Sequence, residues 1–168
     1  MKIYLATDHA GFEAKEKVKT HLTKEGYDVE DCGAYSFDKE DDYPDFIKKA
    51  AEAVSRDPKG SRAIIFGGSG QGEAIVANKF PGVRSIIFYS PAIPVDAADA
   101  SGRTSNDQFE IIRLGREHNN ANVLSLGVRF LTEEQVKKAI DLFLKTSFSG
   151  EERHARRIGK IEEIEQEN

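Results

Sequence analysis

Ala63-Ile-Ile-Phe-Gly-Gly-Ser-Gly-Gln-Gly-Glu-Ala-Ile-Val-Ala-Asn-Lys79 reads as strand, glycine loop and helix. Ala63 to Phe66 is a short apolar run with two isoleucines, the composition of a buried strand. Gly67, Gly68, Gly70 and Gly72 then strip the loop of side chains. The helix that follows carries Glu73 in its first turn. Such a loop ends in backbone N–H groups without intrahelical acceptors, a ready place for an anion. Ser69 and Glu73 add a hydroxyl and a carboxylate, so the loop is equipped for chemistry as well as binding.

Two nucleotide readings fail on spacing. A P-loop places Gly-Lys-Ser/Thr at this point, and here Gly72 is followed by Glu73. A dinucleotide loop separates its last two glycines by one residue more than Gly70 and Gly72, and Glu73 would repel a pyrophosphate. A plain strand-to-helix turn with no ligand is the simplest reading, but it needs fewer glycines. Glu73 reads equally well in two ways. It is a helix-dipole partner worth roughly 0.3–1 kcal/mol, or a general base beside donors for an oxyanion. Ser69 is a turn residue or a hydroxyl donor. No histidine lies near it in sequence, so a Ser-His triad is unsupported.

Outward from this stretch, strands and helices alternate. Lys2 to Thr7 is read as the first strand, followed by a polar turn at Asp8-His9-Ala10-Gly11. Phe12 to Glu25 forms a helix ended by Gly26, and Tyr27 to Asp31 a second strand. A loop over Cys32 to Asp42 leads to a helix with Pro44 as its first residue. There Ile47, Ala50, Ala51 and Val54 share one face. The glycine stretch is the third strand, with a helix to about Lys79. Val83 to Phe88 is the fourth strand, Asn106 to Glu117 a helix, and Asn122 to Leu126 the fifth strand. Thr132 caps a helix with Val136, Ala139, Ile140 and Phe143 on one face, and Glu151 to Asn168 is a charged helical tail. This alternation predicts a five-stranded parallel sheet covered on both faces. Ligands in such sheets gather beyond the C-terminal strand ends, where Asp8-His9, Gly67–Glu73 and Gly127–Arg129 lie. Tyr89 to Ser105 fits no period, and long irregular segments inside a domain are usually functional or mobile.

The bulk numbers narrow the class. With 168 residues, 39% hydrophobic and 32% charged, one globular domain is expected. A net charge of −5 argues against nucleic-acid binding as the main role. No apolar run approaches the roughly 18 residues of a membrane span. The N-terminus reads as a strand rather than a signal peptide, and the single Cys32 excludes an internal disulfide or a multi-cysteine metal site. A cytoplasmic protein that uses no metal is the expectation. Asp8 and His9 have a bland reading as caps of the first helix. His118-Asn119-Asn120 reads as a helix C-terminal cluster. Arg153, His154, Arg156 and Arg157 read as a solvated charged face or, in an acidic chain, as a phosphate site.

Several motifs point the same way. Asp8-His9-Ala10-Gly11-Phe12, Asp42-Tyr43-Pro44, Gly68-Ser69-Gly70-Gln71-Gly72-Glu73 and Ala77-Asn78-Lys79 are four of them. Glu117-His118-Asn119-Asn120-Ala121-Asn122-Val123-Leu124 and the Arg-His-x-x-Arg within Gly150 to Arg157 are the others. Together they resemble the type B ribose 5-phosphate isomerases and the related galactose 6-phosphate isomerase subunits, over nearly the whole chain. The resemblance implies a Rossmann-like three-layer α/β/α sandwich and a homodimer with active sites between subunits. It also implies aldose–ketose isomerisation of a phosphorylated sugar through a cis-enediolate, without a cofactor. One branch of the family has a cysteine base at the position of Gly67. This chain resembles the other branch, in which the residue matching Glu73 moves the proton. Ser69 and the backbone of Gly68, Gly70 and Gly72 would then hold the enediolate. Asp8 and His118 resemble the ring-opening pair, and Asn119 a substrate hydrogen-bonder. His9, Arg129, Arg153 and Arg157 resemble phosphate ligands, the tail arginines coming partly from the neighbouring subunit. Residues 1–147 are thus expected to form the isomerase domain. Residues 148–168 would be a helical tail of that domain reaching a partner. One departure is the stretch from Tyr89 to about Gln108, enlarged relative to the family, which leaves the sugar open. Ribose 5-phosphate is the leading expectation. Galactose 6-phosphate, allose 6-phosphate, a four-carbon acid phosphate, or binding without turnover are the alternatives.

Overall fold

The computed structural model describes residues 1–167; Asn168, the last residue of the expected tail helix, lies outside them. In chain order the elements are β1 (Lys2–Thr7), a 3-10 turn (His9–Gly11), α1 (Phe12–Lys24), β2 (Asp28–Asp31), α2 (Tyr43–Arg56) and β3 (Ser61–Gly67). Then come α3 (Gln71–Ala77), β4 (Ser85–Phe88), α4 (Glu110–Asn119), β5 (Val123–Gly127), a second 3-10 turn (Val128–Phe130), α5 (Glu133–Lys145) and α6 (Glu152–Glu167). The five strands form one parallel sheet in the order β2-β1-β3-β5-β4.

Strand alternation separates two cores. Leu5, Ile64, Leu124 and Ile86 lie side by side in register and face α1, α4 and α5, whose Val18, Leu22, Ile112, Val136, Ile140 and Phe143 cover them. Ala6, Ala63, Ile65 and Val123 point the other way, against Ile47, Ala50, Ala51 and Val54 of α2 and Ala77 of α3. Burying each large aliphatic side chain contributes about 1.5–3 kcal/mol, so the two faces hold most of the stability. Local signals set the helix ends. Pro44 sits in the first turn of α2. Thr132 Oγ1 accepts the Gln135 N–H while Gln135 Oε1 accepts the Thr132 N–H, a reciprocal cap worth about 1 kcal/mol.

The sheet order opens a crevice. From β1 the chain goes out to β2 and returns to β3 on the other side of β1. The segment after β1 leads to α1 on one face, and the segment after β3 leads to α3 on the opposite face. The two loops diverge at the C-terminal strand ends, the usual ligand position in such sheets.

Several element ends differ from expectation by a few residues, two of them for identifiable reasons. Helix α4 starts at Glu110 rather than Asn106. Asp107 Oδ1 accepts the Phe109 N–H at 3.0 Å and Ser105 Oγ accepts the Asp107 N–H at 3.1 Å, so side chains turn the backbone there. Strand β4 begins at Ser85 rather than Val83. Just before it, the Asn122 amide replaces the ladder, accepting from the Arg84 N–H at 2.8 Å and donating to Gly82 O at 2.8 Å. Between β4 and α4, residues 89–109 hold no helix or strand. The segment is closed by Ala92 N–H donating to Gln108 O at 2.9 Å. Arg103 fastens it to α4, reaching Glu110 at 3.0 Å and Glu117 at 2.8 Å, and Asp99 within the segment at 3.1 Å. Helix α6 packs His154 and Ile158 inward, and its Glu165 accepts the Gly82 N–H at 2.8 Å. Among the described residues no helix is long and apolar enough to cross a membrane.

Candidate active site

The crevice between the ends of β1 and β3 is a pocket of about 500 Å³. It is lined by Asp8, His9 and Ala10, by Tyr43, by Gly68, Ser69, Gly72 and Glu73, and by Arg129 and Phe130. Four chain segments converge on it. Thr7, last in β1, joins the two strand ends through its hydroxyl, 3.0 Å from Phe66 O. Asp8 then caps the 3-10 turn, accepting the Ala10 N–H at 2.9 Å. The capping expected of Asp8 is thus present, on the short turn that precedes α1.

The glycine loop is clamped from behind. Gly70 starts α3 with φ +76°, a left-handed conformation that favours glycine. Ser125 Oγ donates to Gly70 O at 2.7 Å, and the Arg129 N–H donates to Gly68 O at 3.2 Å. In front, side chains occupy the space the missing β-carbons leave. Glu73 carboxylate oxygens lie where a side chain at Gly67 would begin. The Arg129 guanidinium lies 3.1 Å from a Cβ built at Gly68, and the Tyr43 hydroxyl 2.7 Å from one built at Gly72. The run of glycines thus lets three polar side chains converge, which a plain turn would not require.

Glu73 is 5% exposed. Burial pushes its carboxyl above the usual glutamate range; the Asp8 carboxylate adds to the rise and its own backbone N–H opposes it. A carboxylate held this way is a stronger base than one in water. His9 Nδ1 lies 2.7 Å from Asp41 Oδ1, and this bond is the main reason its imidazole is held above the ordinary histidine range. Asp8 Oδ1 accepts the Ala10 N–H and Asp41 Oδ1 accepts from His9, while Asp41 Oδ2 has no hydrogen-bond partner among the described residues. Cys32 is buried and its thiol is pushed up to about 11, which removes it as a nucleophile.

The remaining expected site residues form a second cluster. His118 and Asn119 close α4, and Arg153 and Arg157 lie on α6. His118 stacks on His154 with ring centroids 4.1 Å apart and planes 10° apart. Helix α4 runs back to the N-terminal end of β5, so this cluster lies at the opposite end of the sheet from Glu73. The length of a five-residue strand, about 16 Å, separates the two ends. One chain therefore brings together Asp8, His9, Gly68, Ser69, Gly70, Gly72, Glu73 and Arg129, and separately His118, Asn119, Arg153 and Arg157.

The sequence matches the family described as Ribose/Galactose Isomerase over residues 3–115 and 104–161. The chain belongs to the ribose/galactose isomerase family. The two matched pieces overlap across the start of α4, beside the irregular segment that follows β4. Ribose-5-phosphate isomerase B of Mycolicibacterium paratuberculosis is 40% identical over 165 residues, covering 98% of this chain and 92% of that protein. The Escherichia coli ribose-5-phosphate isomerase B is 32% identical over 165 residues, covering 98% and 97%. Among solved structures, Mycoplasma genitalium ribose-5-phosphate isomerase B with bound ribulose-5-phosphate superposes with a TM-score of 0.86 at 35% identity, over 99% of this chain and 97% of that one. The Clostridium thermocellum isomerase B gives 0.82 at 37% identity, over 99% of both chains. The α/β architecture expected from the resemblance is the one present.

Three residues in or against the pocket, Tyr43 and Phe130 in its wall and Asp41 behind His9, carry no role in the sequence reading. Tyr43 was visible only as part of Asp42-Tyr43-Pro44, and Phe130 only as the neighbour of Arg129. Asp41 lay in the aperiodic loop, in a run of acidic residues just before a helix-starting proline. An acidic residue held next to a helix start after a long loop was the only available signal.

Proposed function

We propose that this protein is an aldose–ketose isomerase that interconverts ribose 5-phosphate and ribulose 5-phosphate through a cis-enediolate. The observation that carries the proposal is Glu73, a buried carboxylate of raised basicity beside the glycine-loop backbone, in a pocket that also holds His9 and Arg129. Relatives named ribose-5-phosphate isomerase B, and the bound ribulose-5-phosphate in the Mycoplasma genitalium structure, support the choice of sugar.

In the open-chain aldose, Glu73 takes the proton from C2. The C–H electrons form the C1–C2 double bond, and negative charge moves onto O1. The Ser69 hydroxyl and the N–H groups from Gly70 to Gly72 face that charge; one such donor lowers a barrier by about 3–4 kcal/mol. Glu73 returns the proton to C1 as the O2 proton passes to O1 and the C2 carbonyl forms. The reaction is internally redox-neutral, so these groups suffice without a redox cofactor. His9 and Arg129 take the phosphate.

The second cluster completes the site from another copy of the chain. His118 joins Asp8 in opening the sugar ring, Asn119 bonds the substrate, and Arg153 and Arg157 close on the phosphate. A homodimer is supported by the separation of the two clusters within one chain. A groove of about 840 Å³ beside the edge strand β4, lined by Ile86, Ile161 and Ile164, offers an apolar contact surface for it. The single reduced cysteine suits the cytoplasm.

A second reading concerns the sugar alone. Tyr89, first residue of the irregular segment, packs edge-on against Phe130 of the pocket wall with centroids 6.3 Å apart. That contact gives the segment a hand in the shape of the pocket and keeps hexose phosphates in play. A coupled assay over pentose and hexose phosphates, with Glu73→Gln as control, tests both readings. Turnover on ribose 5-phosphate that is lost in the variant supports the proposal. Wild-type turnover in Glu73→Gln would refute the assigned base.

A further inference from the structure

Asp41 is a carboxylate with an unusual set of contacts. Its Oδ1 accepts two hydrogen bonds from one residue, the His9 backbone N–H at 3.0 Å and the His9 ring Nδ1 at 2.7 Å. Its side chain is only 9% exposed, and Oδ2 is buried without a hydrogen-bond partner among the described residues. A buried carboxylate oxygen left unpaired is costly and calls for a compensating use. Pinning the loop before α2 to the turn after β1 would need only the backbone bond, which an uncharged side chain also makes.

We propose that Asp41 is a positioning residue for the phosphate end of the pocket, turning His9 so that Nδ1 faces the protein and Nε2 faces the substrate, with a fixed negative counter-charge behind the ring. The inference rests on the reading of this pocket as a phosphosugar site. The bond to a carboxylate commits Nδ1 to carry a proton. Neutral His9 then offers a bare Nε2 lone pair to the pocket, which repels a phosphate oxygen. Protonated His9 offers an Nε2–H, which binds one. Asp41 therefore makes phosphate binding depend on the imidazolium, and stabilises it.

The groups around His9 act in both directions. Asp41 from the loop and Asp8, whose Oδ2 is 3.9 Å from Nδ1, favour the charged ring. Burial and Arg129, from the turn after β5, oppose it. Phe37 packs edge-on at 6.4 Å and adds no charge. The balance lies above the ordinary histidine range, so the imidazolium persists to higher pH than in a free peptide and is lost as pH rises through the raised value.

The test reads the ring directly by imidazole nitrogen NMR on the full chain, alongside titration with inorganic phosphate and steady-state kinetics. In the wild type, neutral His9 is expected as the Nδ1–H tautomer. Asp41→Asn should lower the His9 midpoint and weaken inorganic phosphate binding. It should raise KM for the sugar phosphate about tenfold with kcat changed less than about twofold. An Nε2–H tautomer in wild-type protein overturns the inference without any variant. So does an Asp41→Asn protein whose His9 midpoint, phosphate affinity and KM are all unmoved. If no sugar phosphate is turned over, the functional reading fails, while the tautomer and the phosphate titration still decide the role of Asp41.

Discussion

The carboxylate of Glu73 occupies the space in which a side chain at Gly67 would stand. Position 67 is glycine because another residue's functional group lies there. Gly67→Ala should therefore push the carboxylate off its seat. Displacement of a reacting group by about 1 Å can cost 10²-fold. We expect kcat to fall about 10²-fold in Gly67→Ala, with a stability loss of about 1–3 kcal/mol from overpacking. Steady-state kinetics and thermal melts separate the two effects.

Under the proposed mechanism, Glu73 also sets the acid limb of the pH profile. It acts ionised, and its folded value is raised, so activity should fall with decreasing pH at a higher pH than an ordinary glutamate would give. The same shift has the opposite sign for stability. The buried acid favours the folded state when protonated, and this contribution is lost as pH rises through its raised value. Glu73→Gln should thus lower kcat by about 10²–10⁴-fold while raising Tm at neutral pH. A lower Tm in Glu73→Gln at neutral pH would show that the ionised form is the better-stabilised one.

The proposed sharing of the site between two copies of the chain predicts complementation. Mixed dimers of Glu73→Gln and Arg157→Ala contain one intact site of two. Random mixing makes about half of all dimers mixed, so about a quarter of wild-type activity should return from two inactive parents. No recovery, with mixed dimers verified by mass, would place the whole site within one chain.

Arg103 ties the irregular segment to α4 by two carboxylates, Glu110 and Glu117, and to Asp99 within the segment, while remaining partly exposed. The Glu110 side chain is nearly buried, so Arg103→Ala leaves its carboxylate without a cation and should cost about 1–3 kcal/mol in stability. Its signature should be local: faster protease cleavage within residues 89–108, and a shift in KM between pentose and hexose phosphates through Tyr89 and Phe130. Unchanged cleavage would show that the segment is held by other contacts.

Periodic elements were legible in the sequence. Ile47, Ala50, Ala51 and Val54 declare α2, and Thr132 marks the start of α5, because their signals lie within a few residues of one another. The start of α4 was not legible, since Ser105 and Asp107 redirect the backbone through side-chain bonds that have no apolar period. The glycine loop was recognised but its excess of glycines was not explained. Their reason is three side chains: Glu73 folding back on the loop from α3, and Arg129 and Tyr43 reaching it from separate segments of the chain. Asp41 was hidden for a similar reason: its partner His9 lies in the turn after β1, and an acidic loop residue carries no mark of what it faces. His118 and Arg157 could be named by resemblance, but only the sheet order places them at the far end from Glu73.

The overlap between position 67 and the Glu73 carboxylate also bears on which residues the two positions can hold together. Any side chain arriving at position 67, a cysteine included, would evict the Glu73 carboxylate from its seat. Positions 67 and 73 are therefore coupled through space: a side chain at 67 fits this loop only where the residue at 73 leaves that space free.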